Sequence, residues 1–419
     1  MRSLPFSKFR RFLIILTLLI LSGGFGYRLG EAKVNLERVD NRIVINRDTP
    51  GNNPIDFSLF WDVWSRIHRY HIDARDIDNQ KLVWGAIAGM VNALGDPYTV
   101  FLTPSENQDF KDDLGGAFEG IGAQLSSKDG RILVVAPITG SPASTAGIKA
   151  GDWILKVGDE DVINWSVTQA VAKIRGPKGT QVVLSVLHEN AESPVNISII
   201  RDTIKVPSVE YWIKTPSEII QLSGSYKGTA QIAYLHLTRF GDRLSEEWSS
   251  AIGEIRSAYD NGHIAGMILD LRNNPGGYLD GSVYLTSEFL TDGNVVSQIN
   301  SDGTRADYKV NRDGLMTEIP LVVLINKGSA SASEIVAGAL KDHRRAKIVG
   351  EKSFGKGSVQ SPQDLRDGAG LHITTGKWLT PDGDWITKIG IVPDFEIELE
   401  SLEATKDAQL EKAVQLLLQ

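Results

Sequence analysis

Between residues 56 and 94, apolar side chains return at every third or fourth position: Phe57, Phe60, Trp61, Trp64 and Ile67, then Leu82, Ile87, Met90, Val91 and Leu94. That spacing predicts two amphipathic helices packed as a hairpin. The break falls at 71-HIDARDID-78, and the stop at 95-GDPYT-99, where Gly95 can cap a helix and Pro97 cannot continue one. From about residue 115 the pattern shortens. Glycines at 115, 116, 120, 122, 130, 140, 147 and 151 separate short β-rich runs such as 131-RILVVAPI-138, 152-DWILKV-157 and 181-QVVLSVL-187. One helix fits there, 166-SVTQAVAKIRG-176, with Ser166 suited to cap its start and Gly176 its end. From residue 231 onward, strand-like runs at 231–240, 266–271, 294–299, 320–325 and 346–350 alternate with helical patterns near 244–259, 278–290 and 333–341. Alternation of this kind predicts a mainly parallel sheet covered by helices, with sites where strands end and helices begin. An amphipathic helix, 404–419, closes the chain.

The first residues follow another rule. Arg2, Lys8, Arg10 and Arg11 precede the uncharged run 12-FLIILTLLILSGGFGY-27. Basic residues ahead of an apolar stretch mark an export signal. At 16 residues the run sits at or just under the lower limit for a spanning helix, and no clear small-x-small cleavage site follows. The expectation is a signal anchor that holds the body outside the cytoplasm, with a cleaved signal peptide as the alternative. The whole reads as a multidomain α+β chain. Residues 1–33 are the signal segment, 50–104 a helical domain, 105–205 the β-rich module, 206–400 an α/β body and 401–419 a C-terminal helix.

Composition then narrows the chemistry. A net charge of -8, with no sustained basic run after residue 11, argues against a surface that tracks nucleic-acid phosphates. The chain has no cysteine, which removes disulfides, thiolate metal sites and a cysteine nucleophile. His68 and His71 recur without a carboxylate or third histidine at ligand spacing, so a packed helix is the better reading than a metal site. No metal and no cofactor are expected.

Two stretches carry candidate catalytic groups. In 350-GEKSFGKGSVQ-360, Gly350 to Lys356 matches the G-x-x-x-x-G-K of a phosphate-binding loop, but Gly357 stands where Ser or Thr should bind Mg²⁺. Val359 and Pro362 then favour a strand over the required helix, so no nucleotide is expected. The second stretch, 328-GSASASEIVAGAL-340, puts three serines on a turn between a buried strand and a helix start. A serine there is ordinarily a cap. A nucleophilic serine would also need a base and an oxyanion site. The N–H of Ala332 at the helix start could supply one oxyanion donor, and the pair 276-GG-277 at the neighbouring strand end another. No histidine lies in a turn beside a strand end, which leaves Lys356. Its near sequence neighbours are small or aromatic and carry no carboxylate, as suits a lysine desolvated into a base. Gln360, at an even offset along the expected strand, would share its face.

Two resemblances follow from these motifs. Over about 90 residues, 118-FEGIGAQL-125 followed by 139-TGSPASTAGIKAGDWILKVGDEDV-162 resembles a PDZ domain. The resemblance implies that Gly120, Ile121 and Gly122 offer N–H groups to a C-terminal carboxylate, while the bound peptide adds a strand to the sheet edge. The set GSASASE, EKSFGKGSVQ, LDLRNNPGG, the PDZ-like module and LGDPYT is similar to the carboxy-terminal processing proteases, a tail-specific serine protease family, from about residue 56 to the end. That likeness implies Ser331 as nucleophile, Lys356 as base, Gln360 as its support, and Ala332 with one of the two glycines, here taken as Gly277, as the oxyanion hole. The body would be crotonase-like, and the partners would be protein or peptide substrates with free C-termini, with the membrane engaged through the N-terminal segment. An oligomer is compatible with all of this. Arg175, beside the Gly176-Pro177 turn, is placed to reach the protease body as a regulatory link. Two other classes compete: a tail-binding scaffold on an inactive body, and an acyl-transfer enzyme acting on small thioesters.

Overall fold

Three runs, 321-LVVLI-325, 264-IAGMILD-270 and 231-QIAYLHL-237, form the centre of the fold because each is apolar on both faces and can be covered on both. In the computed structural model, backbone is described for residues 34–39 and 42–47, and both backbone and side chains for most of 56–419, except 129, 139, 189–190, 220–229 and 399–406. The run 12–27 lies outside the described residues, and no helix among the described ones is long and apolar enough to cross a membrane.

The chain divides into two units, 1–82 and 83–419. In the first, Val34–Val39 and Arg42–Arg47 pair as an antiparallel hairpin, and the first expected helix runs Ser58–Tyr70. Its apolar stripe does not make a packed core. Phe60, Trp61, Trp64 and His68 lie ring against ring along their own helix, and none of its residues is buried. His68 bonds the Trp64 carbonyl and the Asn79 side chain, a structural use of the ring. The second expected helix, Asn79–Asn92, spans the division between the units.

The second unit begins its sheets with Val100–Leu102 and then the helix Pro104–Gly115, which opens on a capping box between Thr103 and Glu106. The β-rich module follows as a sheet in the order Val195–Ile200, Gln181–Leu187, Trp153–Val157, Arg131–Pro137, Ala123–Lys128. Ala123–Lys128 is therefore an edge strand. Ile132, Val134, Ile154, Leu184, Val186 and Ile199 fill the core against Ala170 and Ile174 of the helix Val167–Ile174. Ser166 caps that helix as expected, but it ends at Ile174, with Arg175 rather than Gly176 as its cap.

The body holds two sheets, not one. The first runs in the order Val209–Lys214, Gln231–Leu237, Ile264–Asp270, Leu321–Ile325, Lys347–Gly350, Phe395–Glu396, and is parallel except for its first pair. Alternate residues of one strand face opposite cores. Leu321, Val323 and Ile325 meet the helices Leu244–Asp260, Leu279–Thr286 and Ala332–Asp342, whereas Val322 and Leu324 meet the C-terminal helix Ala408–Leu417. The strand expected at 294–299 is present as Asn294–Asn300 but belongs to the second sheet, antiparallel with Arg305–Lys309 and Gly370–Leu379, and completed by Ser358–Asp364. Periodicity told strand from helix there; it could not assign the sheet. Val100–Leu102 pairs with the other side of Gly370–Leu379.

Candidate active site

Parallel neighbours end on the same edge, so the turns after Ile264–Asp270 and Leu321–Ile325 meet. Side-chain amides stitch them together. The Asn273 N–H donates to Asn326 Oδ1 at 2.8 Å, and Asn326 Nδ2 donates to Asn273 Oδ1 at 2.8 Å. Two of the three serines join the seam: Ser329 Oγ donates to the Leu271 carbonyl at 2.8 Å, and Ser333 Oγ to the Asn274 carbonyl at 2.9 Å. Both are fully buried. The third, Ser331, lies in the wall of a cavity of about 380 Å³. Its backbone adopts φ 56°, ψ -115°, a left-handed conformation that costs a residue with a Cβ on the order of 1–3 kcal/mol. No propensity would put serine there.

Around that cavity the structure gathers Gly276, Gly277, Ala332, Lys356 and Gln360. Gly276 packs so closely that a Cβ would lie 2.8 Å from Ser331 Cβ and 2.9 Å from the Ala332 nitrogen. Its N–H is taken by Asn274 Oδ1 at 2.9 Å. Gly277, at φ 144°, bridges Phe240, with Phe240 N bonded to the Gly276 carbonyl and Tyr278 N to the Phe240 carbonyl. The Gly277 N–H therefore points away from that bridge and finds no acceptor among the described residues, nor does the Ala332 N–H at the helix start.

Lys356 sits in a loop fixed from several sides. Its N–H donates to Glu334 Oε2 at 2.9 Å, and its carbonyl accepts from Trp378 Nε1 at 2.9 Å. Burial pushes the ammonium pKa below the ordinary lysine value, although the charges of Glu334 and Asp96 pull it back in part. Carboxylates are thus close in space where the sequence neighbours show none. The loop leads into the strand Ser358–Asp364 and not into a helix.

Glu334 is the residue that sequence reasoning missed. Fully buried, its carboxylate accepts from the Ser331 N–H at 2.8 Å, Ser353 Oγ at 2.6 Å, the Gly355 N–H at 2.6 Å and the Lys356 N–H at 2.9 Å. It ties the Ser331 turn to the lysine loop. The S-x-x-E spacing from Ser331 to Glu334 is the capping-box signal that could have found it.

Gln360 reaches the cavity for a different reason than the expected register. Lys356 precedes the strand, and the pairing slips between Val359 and Gln360, so an even offset does not apply. Gln360 Nε2 donates to Ser358 Oγ at 2.8 Å. His372 also faces the cavity, from Gly370–Leu379, and stands 4.3 Å from Phe110, ring to ring. Burial, then the charge of Lys356, holds its pKa down.

In the β-rich module, Ile121 and Gly122 have their carbonyls tied to the Ala143 and Ile138 N–H groups, while their own N–H groups find no acceptor among the described residues. Gly120 ends the strand Ala117–Gly120 just before them. Beside them the edge strand Ala123–Lys128 faces the helix Val167–Ile174. Arg175, which caps that helix, lies over the Phe118 ring at 4.5 Å and pairs with Asp109 at 2.5 Å through one nitrogen. Asp109 belongs to Pro104–Gly115, whose Phe110, Asp113 and Leu114 line the cavity beside Ser331. Asp113 pairs with Arg239 there. Among the described residues the ion pair of Arg175 is therefore with this helix and not with residues 206–400, the body that the sequence suggests it reaches.

Known proteins match all three parts. The profile of Peptidase family S41 matches residues 231–397, that of the PDZ domain residues 133–187, and that of the activating protease CtpB N-terminal domain residues 47–105. A carboxy-terminal-processing protease of Bartonella bacilliformis is 38% identical over 357 residues, covering 84% of this chain and 78% of the relative. The carboxy-terminal processing protease CtpA of Bacillus subtilis is 39% identical over 323 residues, covering 77% of this chain and 65% of the relative. Among solved structures, a photosystem II D1 C-terminal processing protease superposes with a TM-score of 0.50 at 29% identity, over 85% of this chain and 96% of the other.

Proposed function

The chain belongs to the carboxy-terminal processing proteases, serine-type peptidases of family S41 with a PDZ domain, and from that premise we propose that it captures protein C-termini and cuts near them with Ser331 and Lys356. In the proposed reaction the neutral Lys356 amine takes the Ser331 hydroxyl proton as Oγ attacks the scissile carbonyl. The Gly277 and Ala332 N–H groups receive the oxyanion, aided by the positive end of Ala332–Asp342. The lysine ammonium then protonates the leaving amine, and the acyl group stays on Ser331. Water, deprotonated by Lys356, attacks that ester and releases the acid. Gln360 supports this wall of the cavity through Ser358.

One observation supports the reading most. Of three serines in one turn, Ser329 and Ser333 are consumed by the seam, whereas Ser331 is held in a costly backbone conformation facing a desolvated lysine's cavity. The tail would lie along the edge strand Ala123–Lys128, its carboxylate read by the N–H groups of the loop Gly120, Ile121 and Gly122. Arg175 would carry that occupancy to the cavity through Asp109. The basic-then-apolar start of the chain supports export and an anchor, with the body outside the cytoplasm.

The test is Ser331→Ala set beside the native chain, read by a serine-reactive phosphonate probe and by mass spectrometry of products from an exported substrate. The expected outcome is loss of both labelling and hydrolysis with an unchanged melting curve. Products that persist at the native rate in Ser331→Ala would remove the nucleophile assignment. Ser329 and Ser333 are poor controls, because each is a fully buried donor that stitches the serine turn to the neighbouring strand end.

A further inference from the structure

The group that faces the lysine side chain most directly comes from far away in the chain. Tyr98 lies in the turn 95-GDPYT-99, a helix stop and part of one family-like motif, with no role of its own assigned from the sequence. Lys356 Nζ stands 5.4 Å from the centroid of the Tyr98 ring, within the range at which a ring's negative face attracts a cation. The turn is held twice over. The Asp96 carboxylate accepts from the Tyr98 N–H at 3.1 Å and from Thr99 Oγ1 at 2.6 Å, and the Thr99 hydroxyl accepts from the Thr374 N–H at 3.0 Å. Directly after it, Val100–Leu102 pairs with Gly370–Leu379, with Val100 opposite His372. The ring is therefore fastened to the sheet that lines the cavity.

We propose that Tyr98 is a positioning residue for Lys356, its ring holding the ammonium form at one place in the cavity wall and so setting where and at what pH the lysine exchanges its proton. The inference rests on Lys356 being the base. The other groups around the lysine are Glu334 from the nucleophile helix, Asp96 from the Tyr98 turn and His372 from the central antiparallel strand, with the paired Arg239 and Asp113 further round the cavity. Burial pushes the Asp96 carboxyl up, but bonds from Thr374, Thr99 and Tyr98 outweigh it and keep the group ionised. The Tyr98 phenol does not compete as a base, because burial and then the charges of Glu334 and Asp96 push its pKa up. Against that fixed background the ring favours the charged lysine, and an aliphatic side chain of similar bulk would exclude water equally well without that preference.

The pH profile of kcat on one peptide substrate tests this in Tyr98→Leu, Tyr98→Phe and Lys356→Ala. For Tyr98→Leu the acid limb moves to lower pH by about 0.5–1.5 units, since the charged form has lost a stabilising partner. Its plateau kcat falls about tenfold, with KM within about twofold, as a misplaced base requires. Tyr98→Phe keeps the ring and rescues both readouts. A leucine profile that overlays the native one, or a phenylalanine variant that behaves like leucine, overturns the proposal. Tyr98→Met takes the place of leucine if that variant does not fold. Lys356→Ala separates the two ideas: if it keeps native turnover, the base assignment falls whatever Tyr98 does. If it is inactive while Tyr98→Leu is unchanged, the positioning role alone falls.

Discussion

The PDZ loop and the catalytic turn use one backbone device in two settings. At Ile121 and Gly122 the carbonyls are tied down and the N–H groups find no acceptor among the described residues; at Gly276 and Gly277 the first glycine is bonded at both its N–H and its carbonyl, and the second has no acceptor for its N–H among those residues. What differs is the neighbour. The PDZ loop borders an edge strand with an open side, which suits a stable carboxylate on an extended tail. The catalytic turn borders a helix start and a serine in a strained conformation, which suits a charge that exists only during reaction. A glycine-rich turn is therefore not a function by itself; what adjoins it, an open edge strand in one case and a strained serine at a helix start in the other, separates the two roles proposed for these turns.

The sharpest way to break that contrast is to disable the base without touching either loop. Lys356→Arg should lower kcat about 10²–10⁴-fold, as much as Lys356→Ala, because a guanidinium stays protonated. Tail-peptide affinity should not move. In the native enzyme the rate should rise with pH through a lysine titrating below its ordinary range, since the deprotonated amine is the active form and burial favours it. His372→Gln should leave that limb in place. A limb that disappears with His372 and survives Lys356→Arg would assign the proton to the imidazole instead.

Next in size is Gly277→Ala. A Cβ there meets the Phe240 carbonyl, so the backbone must shift and take its N–H with it. A loss of about 10²–10³ in kcat is expected, with probe labelling slowed and tail binding intact. An unchanged kcat in a normally melting variant would leave Ala332 as the principal donor.

How much of this was legible beforehand differs along the chain. The serine cluster, FGKG and the glycine pair stand out as residue types, and four strands of the parallel sheet are legible nearly to their ends, whereas its edge strands Val209–Lys214 and Phe395–Glu396 are not. Three-dimensional neighbours did not stand out. Glu334 is separated from Lys356 by the rest of a helix, a strand and a loop, and its carboxylate reaches across to the lysine loop. Tyr98 is more distant still. The slip between Val359 and Gln360, which undid the register argument, leaves no trace in a polar sequence. Burial of helix Ser58–Tyr70 was overestimated because a 3.6-residue stripe records that a face is apolar, not that anything covers it.

On the PDZ side, a substrate whose C-terminus is amidated should lose about ten- to a hundredfold in kcat/KM, on the order of 1.5–3 kcal/mol for one set of charge-assisted bonds. The loss should fall in KM. Equal cleavage of free and amidated tails would take the carboxylate out of recognition. The smallest effect belongs to the link between the two regions. Arg175 pairs with a half-exposed Asp109, a kind of contact worth roughly 0–1 kcal/mol, so Arg175→Ala should barely move the melting temperature. If the link transmits, kcat on a tail-bearing protein should fall several-fold, with tail affinity within about twofold. Native values for all three would make the arginine only a helix cap.

The four hydrogen bonds of Glu334 also bear on how the enzyme comes into being. The proposed nucleophile and base occupy separate loops, and the side chain that bonds both is acceptable only in a finished interior, since a buried carboxyl group without those donors would be left unsatisfied. A half-folded copy thus has neither the bent serine nor the desolvated lysine. If Ser331 and Lys356 act as proposed, proteolytic capacity is expected only once this interior is complete.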